Sequence, residues 1–143
     1  MSVRRMLIIL VLAVIPGAIG SCCKDWCVQY WVLLNFEEFT DREMDSVIYR
    51  KFQPSGTFTQ KIDTTLEIMG WTSGRTSFTF YTESIDPAYD YEVSPAGTNR
   101  TFRISAMTTY FQKCRCASND IKRVSSCKVD GITTAGDSIV LYK

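Results

Sequence analysis

Alternation of apolar and polar residues extends along most of the chain after residue 28 and predicts β-strands. In the range 28–36 every second residue is large and apolar, and several residues between them are apolar too. A strand that is covered on both faces has this pattern, so this range is a good candidate for a central strand. Ser46 to Phe52 alternates again and ends at Pro54-Ser55-Gly56, a turn signal. Residue parity places Phe52 on the same face as Ile48 in that strand.

Further strands are expected at short intervals, separated by turn signals such as Asp86-Pro87 and Asp130-Gly131. They are expected at 61–69, 76–82, 89–93, 101–111, 122–129 and 138–142. Asp90 and Glu92 alternate with bulkier residues, which predicts one face in the core and one face in water. The only helical piece expected is one turn at 40–44, where Thr40 is a suitable N-cap. About seven or eight short strands predict an all-β fold, a single antiparallel β-sandwich that is either Ig-like or a partly closed barrel.

The first residues do not follow this pattern, because Met6 to Ile15 forms an unbroken run of ten apolar residues behind Arg4 and Arg5. A helix needs about 20 residues to cross a hydrocarbon core of about 30 Å, so this run is too short to span a membrane. A positive end, an apolar run and then small residues are typical of a secretory signal peptide. We therefore expect residues 1–21 to be a signal peptide and residues 22–143 to form a single β-sandwich domain outside the cytoplasm.

Two processing sites compete at the end of this leader. A general signal peptidase would accept Ala18-Ile19-Gly20 and cut before Ser21, because small residues stand at the two positions that it inspects. The segment Ile19-Gly20-Ser21-Cys22 instead resembles a bacterial lipobox, in which cleavage leaves an N-terminal cysteine whose thiol takes a diacylglycerol. The first site predicts a freely secreted protein, and the second predicts a protein anchored to a membrane through Cys22.

The six cysteines lie near the two ends of the chain. They are Cys22, Cys23, Cys27, Cys114, Cys116 and Cys127. Cysteines of an exported chain usually form disulfides, and we expect a bridge between Cys116 and Cys127 that stabilises by about 3 kcal/mol. A second bridge would join Cys23 or Cys27 to Cys114. Acylation of Cys22 would leave an odd number of thiols and hence at least one unpaired cysteine. No metal site is predicted, because the spacing does not match two CxxC knuckles.

The composition argues against an enzyme. The chain has no histidine, so it has no imidazole general base and no serine or cysteine triad of the usual kind. Acidic residues are dense between Glu37 and Asp45, but they fall at a strand end and a turn, where carboxylates are usually solvated or cap the backbone. We therefore predict no catalytic residues and no cofactor. The net charge of +1 includes Arg4 and Arg5 of the leader, so no basic surface remains for nucleic acid.

Aromatic residues are the remaining candidates for recognition. Those considered are Trp26, Trp31, Trp71, Tyr81, Tyr89 and Tyr91. Most of them are expected in the core, but Trp71 follows Gly70 in a predicted loop that ends at Arg75. Trp71 and Arg75 are therefore the candidate contacts for a protein or glycan ligand.

Several segments resemble the small lipoproteins common in Bacteroidota-type bacteria. They are the leader ending at Ser21-Cys22 and the stretches Asp45–Phe52, Tyr91–Val93, Thr101–Ser105 and Ser138–Lys143. The resemblance implies a lipid-anchored β-domain of the bacterial outer membrane or cell surface, and it brings no known activity. The function expected is that of a cell-envelope lipoprotein with a non-catalytic binding or structural role. The alternative is a secreted, disulfide-stapled ligand-binding protein that is cleaved before Ser21.

Overall fold

The structure, a computed structural model, describes residues 32–70, 74–113 and 121–143. The leader, both processing sites and Trp71 lie outside these ranges, as do all the cysteines except Cys127. Within the described ranges, no helix has the length and apolar character that crossing a membrane requires. The described residues other than Lys113 and Ile121 belong to one compact unit, Gln29–Gln112 with Lys122–Lys143.

The described ranges contain nine strands. They are β1 (Val32–Glu37), β2 (Ser46–Phe52), β3 (Lys61–Ile68), β4 (Ser77–Thr82), β5 (Asp90–Pro95), β6 (Phe102–Gln112), β7 (Ile121–Val129), β8 (Ile132–Ala135) and β9 (Ser138–Tyr142). Each predicted strand is present. The alternation missed β8, because a strand of four residues is too short to show a period of two convincingly.

The strands form two sheets, with the orders β4-β1-β9 and β3-β2-β5-β6-β7-β8. The predicted all-β sandwich is confirmed, and β1 is a central strand as expected. One pairing differs from the expected antiparallel arrangement, because β1 lies antiparallel to β4 but parallel to β9. The chain passes from β8 to β9 through a corner at Gly136, whose φ of 97° suits glycine. There Gly136 donates its N–H to the Ser125 carbonyl, while the Asp137 carbonyl accepts from Leu33 on the other sheet.

Large aromatic side chains fill the space between the sheets. Val32, Leu34 and Phe36 alternate inward along β1 and are fully buried. The Phe36 ring stacks on Phe80 of β4 with centroids 5.6 Å apart. It also meets the edge of Phe102 of β6 at 6.1 Å, so this contact joins the two sheets. Aromatic pairs in these geometries add about 0.5–1.5 kcal/mol beyond the area that they bury.

The register of β2 with β3 shifts between Lys51 and Phe52, because Ile62 of β3 has no partner, whereas β2 stays in register with β5 through the Phe52–Asp90 pair. Phe52 therefore keeps the face of the half-buried Ile48, and it is buried where its ring meets Phe58 with centroids 5.5 Å apart. Residue parity fails in β6, where the strand itself is irregular. In β6, Ala106 has a φ of 49°. Ile104 is buried before that irregularity and Met107 packs on the core after it, so the inward positions change from even to odd.

The expectation that the Asp90 and Glu92 side of β5 faces water is wrong for Asp90, which is buried, whereas Glu92 is half-buried. Ser94 on the same side is buried too. The Asp90 carboxylate accepts the backbone N–H groups of Ser55 and Gly56 at 2.9 and 2.7 Å. The Ser94 hydroxyl accepts a hydrogen bond from Arg50 at 3.3 Å. The polar groups of Asp90 and Ser94 therefore serve hydrogen bonds to the β2–β3 turn and to Arg50 rather than contact with water.

The segment 40–44, where one helical turn was predicted, is a hydrogen-bonded turn and not a helix. The Thr40 carbonyl accepts the N–H groups of Glu43 and Met44 at 3.0 and 3.1 Å. The Glu43 carboxylate accepts the Thr40 N–H at 2.9 Å, which is one half of a capping box. Its other oxygen lies 2.8 Å from the Lys143 ammonium. The hydrogen bonds from Lys143 and Thr40 lower the pKa of Glu43 to about 2.

Candidate functional site

The outward-facing side of the three-stranded sheet carries the best candidate binding surface. Since Val32, Leu34 and Phe36 point into the core, the alternate residues Leu33, Asn35 and Glu37 of β1 point outward. The register places neighbours from β4 and β9 on either side of this row. We call the surface the tyrosine face, and it consists of Leu33, Asn35, Glu37, Ser77, Thr79, Tyr81, Ser138, Val140 and Tyr142.

Two tyrosines stand at opposite corners of the tyrosine face. Tyr81 lies opposite Leu33 at one end, and Tyr142 lies opposite Glu37 at the other end on the other flank. Tyr81 is 58% exposed and Tyr142 is 60% exposed. Val140, which lies opposite Asn35 halfway along the face, is 40% exposed. Tyrosine offers a flat apolar ring and a hydroxyl with little conformational entropy to lose, which favours recognition.

The middle of the tyrosine face is held in order by hydrogen bonds across all three strands. The Asn35 amide nitrogen donates to the Ser138 hydroxyl of β9 at 2.7 Å. The Thr79 hydroxyl of β4 donates to the Asn35 amide oxygen at 2.6 Å. Asn35 is therefore fixed in one orientation, and a ligand that contacts it meets a preformed arrangement of donors and acceptors.

One end of the tyrosine face is acidic and the exposed Arg75 lies beside it. The Ser77 hydroxyl donates to the Glu37 carboxylate at 2.9 Å. Two residues before Ser77, Arg75 is exposed, and its backbone N–H donates to the Asp41 carboxylate at 3.3 Å. The Asp41 carboxylate also accepts the backbone N–H of Gly74. The structure therefore places Arg75, a predicted ligand contact, at the Glu37 end of this face.

The acidic cluster predicted between Glu37 and Asp45 is used structurally. Glu37 accepts a hydrogen bond from Ser77, Asp41 holds the backbone at Gly74, and Glu43 caps the 40–44 turn. The described residues contain no group of three or more acidic, cysteine or histidine side chains that could hold a metal ion.

Cys127 is buried in β7 and its thiol is free. Burial raises the pKa of this thiol to about 11, so the reactive thiolate is disfavoured near neutral pH. The predicted bridge to Cys116 is not shown, since Cys116 lies outside the described residues and Cys127 carries no disulfide. Cys127 lies within the strand Ile121–Val129. About 20 Å of extended chain separates Cys127 from the first residue of that strand.

A comparison with protein-family models, with curated proteins and with solved structures finds no match to this chain. The candidate site therefore depends on geometry alone.

The predicted aromatic candidates differ in their exposure to solvent. Tyr91 is buried, and Tyr89 is half-buried beneath the Lys51 ammonium, which lies 3.7 Å from the ring centroid. Tyr81 is exposed on the tyrosine face, whereas Trp71 lies outside the described residues. Sequence reasoning missed Tyr142. Its position in β9 could have revealed it. Ile139 and Leu141 are the apolar residues that face the core, so Tyr142, which follows Leu141, lies on the opposite face.

Proposed function

We propose that this chain is an exported cell-envelope lipoprotein, anchored through Cys22, whose β-sandwich binds a glycan on the tyrosine face without catalysis. The observation that carries the binding proposal is the pair of exposed tyrosines around the ordered Asn35 amide. Sugar rings have apolar faces edged by hydroxyl groups. A flat surface with aromatic corners and fixed hydrogen-bonding groups complements such a ligand.

The free thiol of Cys127 supports the anchor. Acylation of Cys22 leaves five thiols of the original six, and an odd number would otherwise count against lipidation. If Cys127 is the unpaired cysteine, then Cys23, Cys27, Cys114 and Cys116 can form two disulfides. A buried free cysteine behaves as a small apolar side chain and needs no partner.

Lipidation of Cys22 would also attach the protein stably to a bilayer. A lipoprotein cysteine carries more than one acyl chain, and two hydrophobic signals are what durable anchoring requires. The alternative is a freely secreted binding protein cut before Ser21, in which all six cysteines are available for pairing. Both alternatives use the same tyrosine face, so the binding test is independent of the anchor test.

The binding proposal predicts that the tyrosine face is required for retention on insoluble polysaccharides such as cellulose, chitin and peptidoglycan. Replacing Tyr81 and Tyr142 together with alanine should weaken binding to the retained polysaccharide by about tenfold to a hundredfold. Tyr110→Ala is the matched control, because Tyr110 is a 45% exposed tyrosine on β6, away from this face. Its affinity should equal that of the wild type.

Pull-down with each polysaccharide, followed by titration of the one that binds, measures the effect. Equal losses for Tyr110→Ala and the double variant would contradict the assignment of the face. A wild-type chain that none of a broad panel of glycans retains would contradict glycan binding itself.

A further inference from the structure

The tyrosine face carries a single charge. All of its residues are described, and Glu37 alone among them is charged. Glu37 is half-buried, and its Oε1 atom accepts the Ser77 hydroxyl at 2.9 Å. Its other carboxylate oxygen, Oε2, accepts no hydrogen bond from the described residues. Glu37 therefore presents a carboxylate that is held in place but is only partly satisfied.

The cations near Glu37 do not neutralise it. Lys143 donates its backbone N–H to the Glu37 carbonyl at 3.3 Å, but its ammonium lies 2.8 Å from the Glu43 carboxylate. Arg75 is exposed at the same end of the face. In the described ranges neither Arg75 nor any other cation forms an ion pair with Glu37. The charge of Glu37 is therefore available to a ligand.

An exposed aromatic ring stands beside this carboxylate. Tyr142 lies directly opposite Glu37 in the pairing of β9 with β1, and it is 60% exposed. Neighbouring strands are about 4.8 Å apart, so the Tyr142 ring and the Glu37 carboxylate border the same part of the surface. An ammonium group is attracted to the face of an aromatic ring and forms strong, charge-assisted hydrogen bonds to a carboxylate. The two side chains together therefore suit an ammonium group.

We propose that the ligand of the tyrosine face is a glycan with free amino groups, and that one protonated amine of it binds between Glu37 and Tyr142. This inference rests on the proposed function, the binding of a glycan to that face. The remaining residues of the face are neutral, and they contact the rings and hydroxyl groups of the same glycan. Glu37 is then the residue that selects among glycans.

The selection follows from what each kind of glycan does to the Glu37 carboxylate. A neutral glycan that covers Glu37 removes water from the carboxylate without supplying an opposite charge, which weakens binding. A glycan with its own carboxylates is repelled. A protonated amine replaces the lost water with a charged hydrogen bond, so it is favoured over both. Acetylation of the amine removes this advantage, because an amide carries no charge.

Two oligosaccharides that differ only in acetylation test this selection. One is an oligomer of β-1,4-linked glucosamine, and the other is the N-acetylglucosamine oligomer of the same length. Isothermal titration calorimetry of the full mature chain in mild detergent, at a mildly acidic pH where the amines are protonated, measures both affinities. The wild-type chain should bind the glucosamine oligomer about tenfold more tightly than the acetylated one.

A matched pair of variants tests the role of Glu37. Glu37→Gln keeps the size of the side chain and an acceptor for the Ser77 hydroxyl, so it should fold normally, which thermal unfolding checks. It should lower the affinity for the glucosamine oligomer about tenfold without lowering the affinity for the acetylated oligomer. Glu83→Gln is the control, because it makes the same change in net charge at an exposed residue just after β4, beyond the Tyr81 end of the face. Its affinities should equal those of the wild type.

Ionic strength gives a second route to the same contact. Raising it from about 0.01 M to about 1 M shortens the range of interactions between exposed charges from about 30 Å to about 3 Å. The difference in affinity between the wild type and Glu37→Gln for the glucosamine oligomer should therefore shrink several-fold.

Equal affinities of the wild type for the two oligomers would overturn this inference and leave glycan binding intact. Equal losses of affinity for Glu37→Gln and Glu83→Gln would overturn it as well, because net charge and not contact with Glu37 would then explain the binding. A wild-type chain that binds neither oligomer and is retained by no polysaccharide would overturn the proposed function together with this inference.

Discussion

At the scale of single residues, two buried tyrosines differ in how their hydroxyl groups are satisfied. The Tyr49 hydroxyl is buried and has no hydrogen-bond partner in the described structure. Burial, with a smaller effect from the Glu67 carboxylate, raises the pKa of Tyr49 well above its usual value. The Tyr91 hydroxyl accepts the Asp86 N–H at 3.0 Å, although burial raises the pKa of Tyr91 too. The two rings are alike in size and burial, so their hydroxyl groups can be compared directly.

Removing these hydroxyl groups should therefore have different effects. Tyr49→Phe deletes an unsatisfied buried group, so the free energy of unfolding should stay the same or rise by up to about 1 kcal/mol. Tyr91→Phe leaves the part-buried Asp86 N–H without its acceptor and should lower the free energy of unfolding by about 1–2 kcal/mol. Urea denaturation of the two variants and the wild type measures the difference. A loss for Tyr49→Phe as large as that for Tyr91→Phe would contradict this account.

Single residues also set the limit of prediction from the sequence. Asp90 is polar in a strand with apolar neighbours, so alternation assigns it to water. Its burial depends on the turn at Ser55, which is distant in sequence. The apolar side chains of β3 present the opposite case, because Leu66 and Ile68 are exposed. A local pattern cannot reveal which sheet edge or distant turn will contact a residue.

At the scale of elements, the 40–44 turn packs closely against the β5–β6 connection. Gly97 donates its N–H to the Glu43 carbonyl at 3.3 Å. A Cβ atom placed on Gly97 would lie 2.6 Å from the Glu43 Cα and 2.7 Å from the Arg42 carbonyl oxygen. Both neighbours are backbone atoms, so neither can rotate away. The position needs glycine because of this contact, and not because of its φ angle.

Gly97→Ala should lower the free energy of unfolding by about 1–3 kcal/mol, because the backbone of one turn must shift to admit the methyl group. Gly70→Ala is the matched control, since a Cβ at Gly70 meets no described atom within 4 Å. That variant should stay within about 0.5 kcal/mol of the wild type. Thermal unfolding of both variants measures the effects. Similar melting temperatures for the two would show that the turns are not in contact.

The elements themselves were largely predictable, whereas their faces and pairings were not. Strands with a regular period of two, such as β1 and β4, are recognised from the sequence because one face must be apolar. The register shift before Phe52 and the positive φ of Ala106 leave no trace in the alternation. The parallel pairing of β1 with β9 depends on a corner at Gly136, which the sequence marks only as a turn.

At the scale of the whole molecule, the proposed anchor at Cys22 belongs to the N-terminal segment, and the tyrosine face belongs to the three-stranded sheet. Sequence reasoning could anticipate exposed aromatic residues in general, but it could not select Tyr81 and Tyr142, because their neighbourhood is created by the order β4-β1-β9. It also could not identify Cys127 as a buried free thiol, because spacing contains no information on burial.

The anchor is the central claim, and two neighbouring cysteines offer a matched pair of variants for it. Cys22→Ala removes the acceptor of the lipid, so the protein should move from the membrane fraction to the soluble exported fraction. Cys23→Ala leaves Ile19-Gly20-Ser21-Cys22 intact and should stay in the membrane fraction. Immunoblotting of fractionated cells measures both distributions.

The most direct measurement is the mass of the N-terminal peptide of the wild-type protein from its native cells, with thiols alkylated before and after unfolding. The account predicts a peptide that begins with acylated Cys22, and a single thiol, Cys127, that reacts only after unfolding. An N-terminal peptide that begins with unmodified Ser21 would contradict it.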